Sequence, residues 1–338
     1  MASGGSEAPG IVVTRTPLRI SFAGGGTDLP AFYEREFGAV LSTTIDKYVY
    51  VTVKRHGEFF GEAVRLNYSE TEQVETIEDL HNDIARECLK LLGAKPPIYV
   101  STVADIPAAS GLGSSSAFAV GLLNALHVFR GEHVSAGQLA EEAAVVEIDT
   151  LKRPIGKQDH LIAAFGGFNL LRFFPDGGVS VEPQRFGGDV LSDLFIHTMV
   201  FWTGMTRNAG TVLEEQQRNT AARLDELRAM RDHAQALQAG LRTSFEPAAF
   251  GSVLDDTWRA KRQLAGGIST DQIDKWYDMA LEAGALGGKV CGAGGGGFLL
   301  FIVPPERCAG VRDVLDGLVE LPVGYEPRGS RVLIPHTE

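Results

Sequence analysis

Cysteine is scarce in this 338-residue sequence, which contains Cys88, Cys291 and Cys308. Three thiols so far apart are too few for the disulfide framework of a small secreted protein. Basic residues are also outnumbered, because 31 Lys and Arg against 43 Asp and Glu give a formal charge of −12. This deficit argues against a non-specific nucleic-acid binder, which needs a basic face to displace counterions. Small anionic substrates are not excluded, since a local basic cluster can lie inside an acidic protein.

Long hydrophobic runs are missing as well. The longest charge-free apolar stretch, from Ser114 to Phe129, is shorter than the ~20 residues that a helix needs to span a bilayer. Residues 1–10 carry neither a basic region nor a hydrophobic region, so they do not read as a secretory signal. We therefore expect no membrane partner and a cytoplasmic location.

The sequence does have the composition of a folded globule, with 44% hydrophobic and 22% charged residues. Its length corresponds to two domains of ordinary size. Strands and helices alternate in the first half, whereas helices dominate after about residue 190 and a strand–helix–strand segment finishes the chain. We therefore predict an α+β protein with domains at 11–190 and 191–338.

Periodicity and turn residues predict the individual elements. The predicted strands are Ile11–Phe22, a strand pair within Val40–Val53, Ile98–Val103, Phe168–Phe174, Phe298–Val303 and a final strand pair. The predicted helices are Ile77–Leu92, a buried helix after Ser116, a helix from the N-cap Ser135 to Ile148, a long charged helix over Thr211–Leu241 with at most a brief interruption, and Arg307–Leu318.

Glycine is the unusual component, with 40 residues concentrated in a few segments. None of these segments is a Walker A loop, because no Gly-Lys pair is followed by Ser or Thr. Residues 292–297 match the G-x-G-x-x-G pattern of dinucleotide-binding folds. That pattern belongs between a strand and a helix, whereas here we expect a helical segment before it and a strand after it. The dinucleotide interpretation is therefore disfavoured.

The segment PAASGLGSSS at 107–116 is better suited to binding a phosphate. Its two glycines allow consecutive amides to point the same way, and its three serines stand at the start of a helix. The free amides and the dipole of a helix N-terminus favour an anion, and a serine oxygen is a suitable ligand for Mg²⁺. The alternative is an ordinary glycine-rich turn with a serine N-cap.

Three motifs in order, GGGTD at 24–28, PAASGLGSSS at 107–116 and GAGGGG at 292–297, resemble those of the GHMP kinase superfamily. The resemblance extends over residues 11–335. It implies a ribosomal protein S5 domain 2-like N-terminal domain, with a left-handed βαβ unit, and a ferredoxin-like C-terminal domain. It also implies ATP along the middle motif and a substrate in the cleft beneath the other two.

By that resemblance each motif position acquires an expected role. The implied ATP-binding positions are Pro107, Ala109, Ser110, Gly111, Leu112, Gly113, Ser114, Ser115 and Ser116. Ser115 and Glu147 match the Mg²⁺ ligands. Asp159 matches the catalytic base that accepts the hydroxyl proton, and Arg19 matches a basic residue that pairs with it and offsets negative charge. The alternatives are a structural cap for Asp159 and a surface salt bridge for Arg19.

The first motif bears on the substrate. Thr27 and Asp28 match the Thr-Asp of galactokinase-like sequences, and Asp28 is expected to bind vicinal sugar hydroxyls. Those sequences carry a Glu-His pair before the Thr-Asp, and its absence here leaves more room. The implied substrate-binding positions in the first and third motifs are Gly25, Gly26, Thr27, Asp28, Gly294 and Gly295. Asp28 also has an alternative or additional role as N-cap of a helix starting near Leu29–Pro30.

The segments at 16–30, 43–47, 155–159 and 203–209 resemble the sugar-1-kinase branch typified by heptose 7-phosphate kinases. That branch implies transfer of the γ-phosphoryl group of ATP to the anomeric hydroxyl of a sugar phosphate, giving a 1,7-bisphosphate. Lys152, Arg153, Lys157 and Arg207 are candidates for binding the substrate phosphate. A solvated basic loop after a helix is the alternative reading of the first three.

Two rival functions remain open at this point. One is an anomeric kinase for an unphosphorylated sugar of the fucose, mannose or galactose type. The other is a catalytically silent sugar and ATP sensor on the same scaffold. The oligomeric state is not determined by the sequence, and a homodimer is one option.

Overall fold

Two β-sheets organise the computed structural model, which describes residues 10–57, 59–206 and 209–336. The strands are β1 (Ile11–Ala23), β2 (Gly38–Arg55), β3 (Val64–Asn67), β4 (Thr71–Val74), β5 (Ile98–Ala104), β6 (Phe168–Phe173), β7 (Val179–Pro183), β8 (Thr198–Trp202), β9 (Gly287–Val290), β10 (Phe298–Ile302), β11 (Val319–Glu320) and β12 (Arg331–His336). The α-helices are α1 (Pro30–Tyr33), α2 (Asp83–Leu91), α3 (Ser114–Phe129), α4 (Ala136–Ala144), α5 (Gln158–Phe165), α6 (Gly188–Ile196), α7 (Ala209–Asn219), α8 (Leu224–Thr243), α9 (Pro247–Arg262), α10 (Asp271–Glu282) and α11 (Cys308–Val314).

The first sheet has the order β12-β1-β2-β5-β3-β4, with β6 paired to β2 and β7 paired to β6. The strand pair predicted within 40–53 is wrong, because β2 is one continuous strand of 18 residues. Its length has a clear cause. One half, from Gly38 to Thr43, pairs with β6, and the other half, from Val49 to Arg55, pairs with β5. Both halves pair with β1 on the opposite edge.

Helix α3 lies directly on this sheet and is buried along most of its length, as its lack of charged residues predicted. Thr14 on β1 donates a hydrogen bond from Oγ1 to the carbonyl oxygen of Gly121, at 2.9 Å. A Cβ atom on Gly121 would lie 2.7 Å from Oγ1 of Thr16, so glycine lets the helix approach β1 closely. This packing fixes the position of the N-terminus of α3 relative to β1.

Several predicted helix boundaries differ from the structure. The helix predicted to start at Ile77 begins at Asp83, because the Asn82 side chain caps it by accepting a hydrogen bond from the amide of Ala85 at 3.0 Å. Ser135 caps α4 as predicted, but the α-helix gives way to a π-helical turn over Val145–Thr150. Helix α11 is shorter at both ends than the predicted 307–318. The long charged segment forms α7 and α8, separated by one 3₁₀ turn, as predicted.

The second sheet is antiparallel, in the order β11-β8-β10-β9. Helices α9 and α10 pack against it around Trp258, Tyr277 and Phe301, which form a contiguous buried cluster. The predicted α+β architecture, with its ferredoxin-like second unit, is confirmed. The last strand, β12, returns to the first sheet and pairs with β1. Among the described residues, no helix combines the length and the apolar character that crossing a membrane requires.

Candidate active site

A cavity of about 630 Å³ lies between the unit built on the first sheet and the unit built on the second sheet. Residues from all three glycine-rich segments line it. Of the positions predicted from the sequence, those lining the cavity are Arg19, Gly25, Gly26, Asp28, Ala109, Gly111, Gly113, Ser114, Ser115, Ser116, Glu147, Lys152, Arg153, Asp159 and Gly294. Segments far apart in the chain therefore meet at one site.

The predicted pair of Arg19 and Asp159 is present. Nε and Nη2 of Arg19 donate to Oδ1 and Oδ2 of Asp159, each at 2.7 Å, which is the bidentate arrangement that a guanidinium makes with a carboxylate. The remaining terminal nitrogen, Nη1, donates to the carbonyl oxygen of Gly111 at 2.6 Å. The side chain of Arg19 therefore connects the Asp159 carboxylate to the glycine loop, the segment at 107–116.

The glycine loop ends at the start of α3, directly beside this pair. Gly113 is the N-cap residue and has a φ of 79°, which favours glycine. A Cβ atom on Gly113 would lie 3.2 Å from Cγ of Arg19 and 3.4 Å from Oδ2 of Asp159. No side chain caps α3 among the described residues, so its first amides face the cavity without a side-chain acceptor. A phosphate bound there would lie next to the carboxylate.

The middle and third motifs contact each other through glycine backbones. A Cβ atom on Gly111 would lie 2.7 Å from the carbonyl oxygen of Cys291, and one on Gly292 would lie 2.6 Å from Cα of Gly111. Only residues without a side chain allow this approach. The expectation of a helical segment before the third motif is wrong, because residues 292–297 join the antiparallel strands β9 and β10. The dinucleotide interpretation remains disfavoured, since the segment opens no helix.

Glu147 lies in the π-helical turn and is fully buried at the cavity wall. Its carboxylate accepts hydrogen bonds from Ser116 Oγ at 2.8 Å, His160 Nε2 at 2.9 Å and Arg153 Nη1 at 2.8 Å. Burial alone would raise the pKa of Glu147, but the hydrogen bond and charge of His160, with Ser116 and Arg153, lower it to about 2. The carboxylate is therefore ionised at neutral pH.

The residues present are suitable for Mg²⁺. Ser115 is exposed to the cavity, and Glu147 offers an ionised carboxylate beside it. Mg²⁺ prefers oxygen ligands, and it is commonly held by one or two protein groups together with substrate phosphates and water. Among the described residues no cluster of three or more His, Cys, Asp or Glu side chains that could hold a metal ion exists.

Asp28 is 2% exposed, and its role as a helix N-cap is a wrong prediction. The N-cap of α1 is Leu29, while Asp28 accepts hydrogen bonds from the amides of Gly26 at 2.9 Å and Gln158 at 3.4 Å. Burial, and next the charge of Asp159, raise the pKa of Asp28. Thr27 is also buried, and its hydroxyl bonds to the backbone of Gly24 and Ala39.

The predicted basic cluster is dispersed by the fold. Arg153 pairs with Glu147 and with Asp83, so its charge is already compensated. Lys152 is exposed at the rim of the cavity. Lys157 is the N-cap of α5, and it is not among the described residues that line the cavity. Arg207 lies outside the described residues.

The remaining predicted positions support the loops. Ser110 and Leu112 are fully buried, and the carbonyl of Leu112 accepts a hydrogen bond from the amide of Arg19 at 3.1 Å. Gly295 donates from its amide to the carbonyl of Ile268 at 2.8 Å. Pro107, which opens the middle motif, is exposed. These positions, as far as the structure describes them, do not line the cavity.

Two buried lysines at the cavity were not identified from the sequence. Lys289 donates from Nζ to the carbonyl oxygen of Ser21 at 2.6 Å, and Lys261 donates from Nζ to the carbonyl of Gly292. Burial and then the charge of Lys289 lower the pKa of Lys261 to about 7, and burial and the charge of Arg19 lower that of Lys289 to about 8. A signal for Lys261 was available, because it continues the buried stripe of α9 that contains Trp258.

The sequence of this chain is similar to those of two protein families and several known enzymes. A family model described as GHMP kinases N terminal domain matches residues 79–167, and one described as GHMP kinases C terminal matches residues 234–315. The D-glycero-alpha-D-manno-heptose 7-phosphate kinase of Campylobacter jejuni is 32% identical over 87% of this chain and 90% of its own length. The L-fucokinase/L-fucose-1-P guanylyltransferase of Bacteroides fragilis is 28% identical over 90% of this chain and 36% of its own length.

Solved structures show the same fold. A D-glycero-D-manno-heptose 1-phosphate kinase from Bacteroides thetaiotaomicron superposes with a TM-score of 0.79 and 23% identity, covering 96% of this chain and 99% of that one. The galactokinase of Lactococcus lactis, solved with galactose, has a TM-score of 0.72 and 16% identity, covering 97% and 96% of the two chains.

Proposed function

This chain belongs to the GHMP kinase family, whose members use ATP as the phosphate donor, and we propose that it is a sugar 1-kinase. The proposed reaction transfers the γ-phosphoryl group of ATP to the anomeric hydroxyl of D-glycero-D-manno-heptose 7-phosphate and forms the 1,7-bisphosphate. One observation carries the proposal: the Arg19–Asp159 pair lies against Gly113, at the N-terminus of α3.

The proposed step needs a base, a positioned hydroxyl and compensation of negative charge. The anomeric oxygen attacks the γ-phosphorus, its proton passes to Asp159, and the bond to the β,γ-bridging oxygen breaks to release ADP. Arg19 holds the Asp159 carboxylate in one orientation through two hydrogen bonds and places a fixed positive charge beside the reacting atoms. The amides at the start of α3 bind the phosphates of the nucleotide.

Ser115 and Glu147 would hold a Mg²⁺ ion that accompanies the nucleotide. When bound, Mg²⁺ neutralises charge on the phosphates. His160 and Ser116 keep the Glu147 carboxylate ionised and oriented through their hydrogen bonds. Arg153 adds a third hydrogen bond to the same carboxylate, so this residue is better suited to supporting Glu147 than to binding a substrate phosphate.

Support for heptose 7-phosphate comes from the relative in Campylobacter jejuni, whose name contains that substrate and which aligns with 87% of this chain. The cation at the rim that could meet a substrate phosphate is Lys152. ADP release should be measured with D-glycero-D-manno-heptose 7-phosphate and with the unphosphorylated heptose. We expect kcat/KM to be at least tenfold higher for the 7-phosphate than for the unphosphorylated heptose. Lys152→Gln should reduce this preference for the 7-phosphate, whereas the control Lys275→Gln on α10 should not.

A kinase for an unphosphorylated sugar is the second candidate. It is favoured by the commitment of Arg153 to Glu147 and Asp83, which removes one of the predicted phosphate-binding cations, and by the similarity to the fucokinase of Bacteroides fragilis. Equal kcat/KM values for the heptose and its 7-phosphate, or turnover of L-fucose alone, would favour this candidate. Absence of ATP turnover with every sugar tested would overturn both.

A further inference from the structure

Three buried polar atoms at the cavity have no hydrogen-bond partner among the described residues: Oγ of Ser21, Oε1 of Gln158 and Nε2 of Gln216. All three residues line the cavity. Buried polar atoms are nearly always paired, because leaving one without a partner is costly. Three such atoms in one place therefore indicate that a bound ligand supplies their hydrogen-bond partners.

These atoms surround the glycines of the first motif. A Cβ atom on Gly25 would lie 3.6 Å from Nε2 of Gln158 and 3.9 Å from Oγ of Ser21. A Cβ atom on Gly26, whose φ is +100°, would lie 2.1 Å from Nε2 of Gln216. The two glycines therefore leave open the space that the three side chains share. We call Ser21, Gln158 and Gln216 the polar cradle.

The cradle is assembled by three separate elements and is held in place by its neighbours. Ser21 belongs to β1, and Lys289 fixes its carbonyl with a hydrogen bond of 2.6 Å. Gln158 is the first residue of α5 and precedes Asp159. Asp28 accepts hydrogen bonds from the amides of Gly26 and Gln158, so it connects two sides of the cradle.

The donors and acceptors of the cradle select a class of ligand. Nε2 of Gln216 can only donate, Oε1 of Gln158 can only accept, and the hydroxyl of Ser21 can do both. A dianionic phosphate offers acceptors only, so it would leave Gln158 without a partner. Hydroxyl groups donate and accept, and neighbouring hydroxyls of a sugar satisfy all three atoms.

We propose that Ser21, Gln158 and Gln216 bind neutral hydroxyl groups of the sugar and determine which sugar is accepted, an inference that rests on the proposed sugar kinase function. Such a site discriminates strongly, because a substrate lacking one hydroxyl leaves a buried protein group without a partner. The position of Gln158 beside Asp159 in the chain places this contact next to the proposed base.

The test compares Gln158→Met, Gln216→Met and Ser21→Ala with the wild type, using the sugar that the wild type turns over best. We expect kcat/KM for that sugar to fall 10- to 100-fold while the KM for ATP changes less than twofold. Gln217→Met, the neighbouring position on α7, serves as the matched control and should leave both values unchanged. Thermal unfolding checks that each variant is folded.

A second experiment avoids removing any cradle atom. Gly25→Ala introduces a methyl group into the open space at a position where no positive φ is recorded, so it should raise the KM for the sugar without unfolding the protein. With the wild type, a monodeoxy analogue should have a lower kcat/KM than the sugar itself. This difference should disappear in the variant that lacks the side chain facing the missing hydroxyl. If every cradle variant has wild-type kinetics, the proposed sugar-binding role of the cradle is wrong, while the proposed kinase function is unaffected. A wild type that phosphorylates no sugar would overturn the proposed function instead.

Discussion

Arg19 on β1 and Asp159 on α5 are 140 positions apart in the chain and form two parallel hydrogen bonds of 2.7 Å. Arg19 is nearly buried and Asp159 faces the cavity. The carboxylate is therefore held in one orientation from the side of the protein and is open on the side of the cavity, as a general base requires.

Replacing Asp159 with Asn should reduce kcat about 100- to 10,000-fold, because the amide cannot accept the hydroxyl proton. The amide oxygen can still accept a hydrogen bond from Arg19, so the site should keep its shape and the KM values should change little. Asp313→Asn on the exposed face of α11 is the control, measured by ADP release under the same conditions. A kcat within twofold of the wild type would remove Asp159 from the proposed role.

Gly113→Ala should separate backbone strain from disturbance of the catalytic pair. Gly113 and Gly131 have nearly equal φ values, +79° and +78°, but no described atom lies within 4 Å of a Cβ built on Gly131. Both Ala variants should lose about 1 kcal/mol of unfolding free energy, because alanine adopts this conformation poorly. We expect Gly113→Ala alone to lower kcat, by tenfold or more, since its methyl group would lie 3.2 Å from Cγ of Arg19. Equal activity in the two variants would contradict this expectation.

Glu147 should make the free energy of unfolding depend on pH in the acid range. Its folded pKa of about 2 lies below the ordinary 4.5, so its contribution is fully present above pH 4.5 and is lost as the pH falls towards 2. The contribution is of the order of 3 kcal/mol. Denaturant unfolding between pH 3 and pH 6 should therefore show a steeper loss for the wild type than for Glu147→Gln. Glu306→Gln, at an exposed position, should retain the wild-type slope, and parallel curves for Glu147→Gln would disprove the assignment.

Lys261 should produce a pH dependence of the same sign in the alkaline range. Its folded pKa of about 7 lies below the ordinary 10.5, so between these values the unfolded chain binds a proton that the folded protein lacks. Stability of the wild type should therefore rise with pH from 7 towards 10 relative to Lys261→Met. Lys275→Met at an exposed position is the control. A stability difference between wild type and Lys261→Met that stays constant across this range would contradict the lowered pKa.

The pairing of Arg19 with Asp159 was implied only by the family resemblance. The order of the three motifs was sufficient to predict the family, and the succession of strands and helices predicted the α+β class. Those inferences depend on local features: the glycines that a phosphate loop needs, the serines at the start of α3, and strongly periodic segments such as β1. The N-cap Ser135 was predictable for the same reason, because capping involves residues three positions apart.

The roles of charged and polar residues outside the motifs were decided by tertiary contacts. Arg153 was expected at the substrate, yet Glu147 and Asp83 pair with it. Capping of α1 was an alternative or additional role for Asp28, yet its carboxylate accepts a hydrogen bond from the amide of Gln158, 130 positions away. No local pattern records a partner that distant, so the sequence could not assign either residue.

The amino-acid sequence by itself determined where the backbone bends sharply and which helix begins at a row of serines, because conformational preference and capping act over a few residues. Only the tertiary structure decided which ionisable and amide groups meet in the cavity, and which buried atoms of Ser21, Gln158 and Gln216 lack a partner. The physical reason is that hydrogen bonding and desolvation depend on neighbours in space, and those neighbours come from β1, α5 and α7 at once.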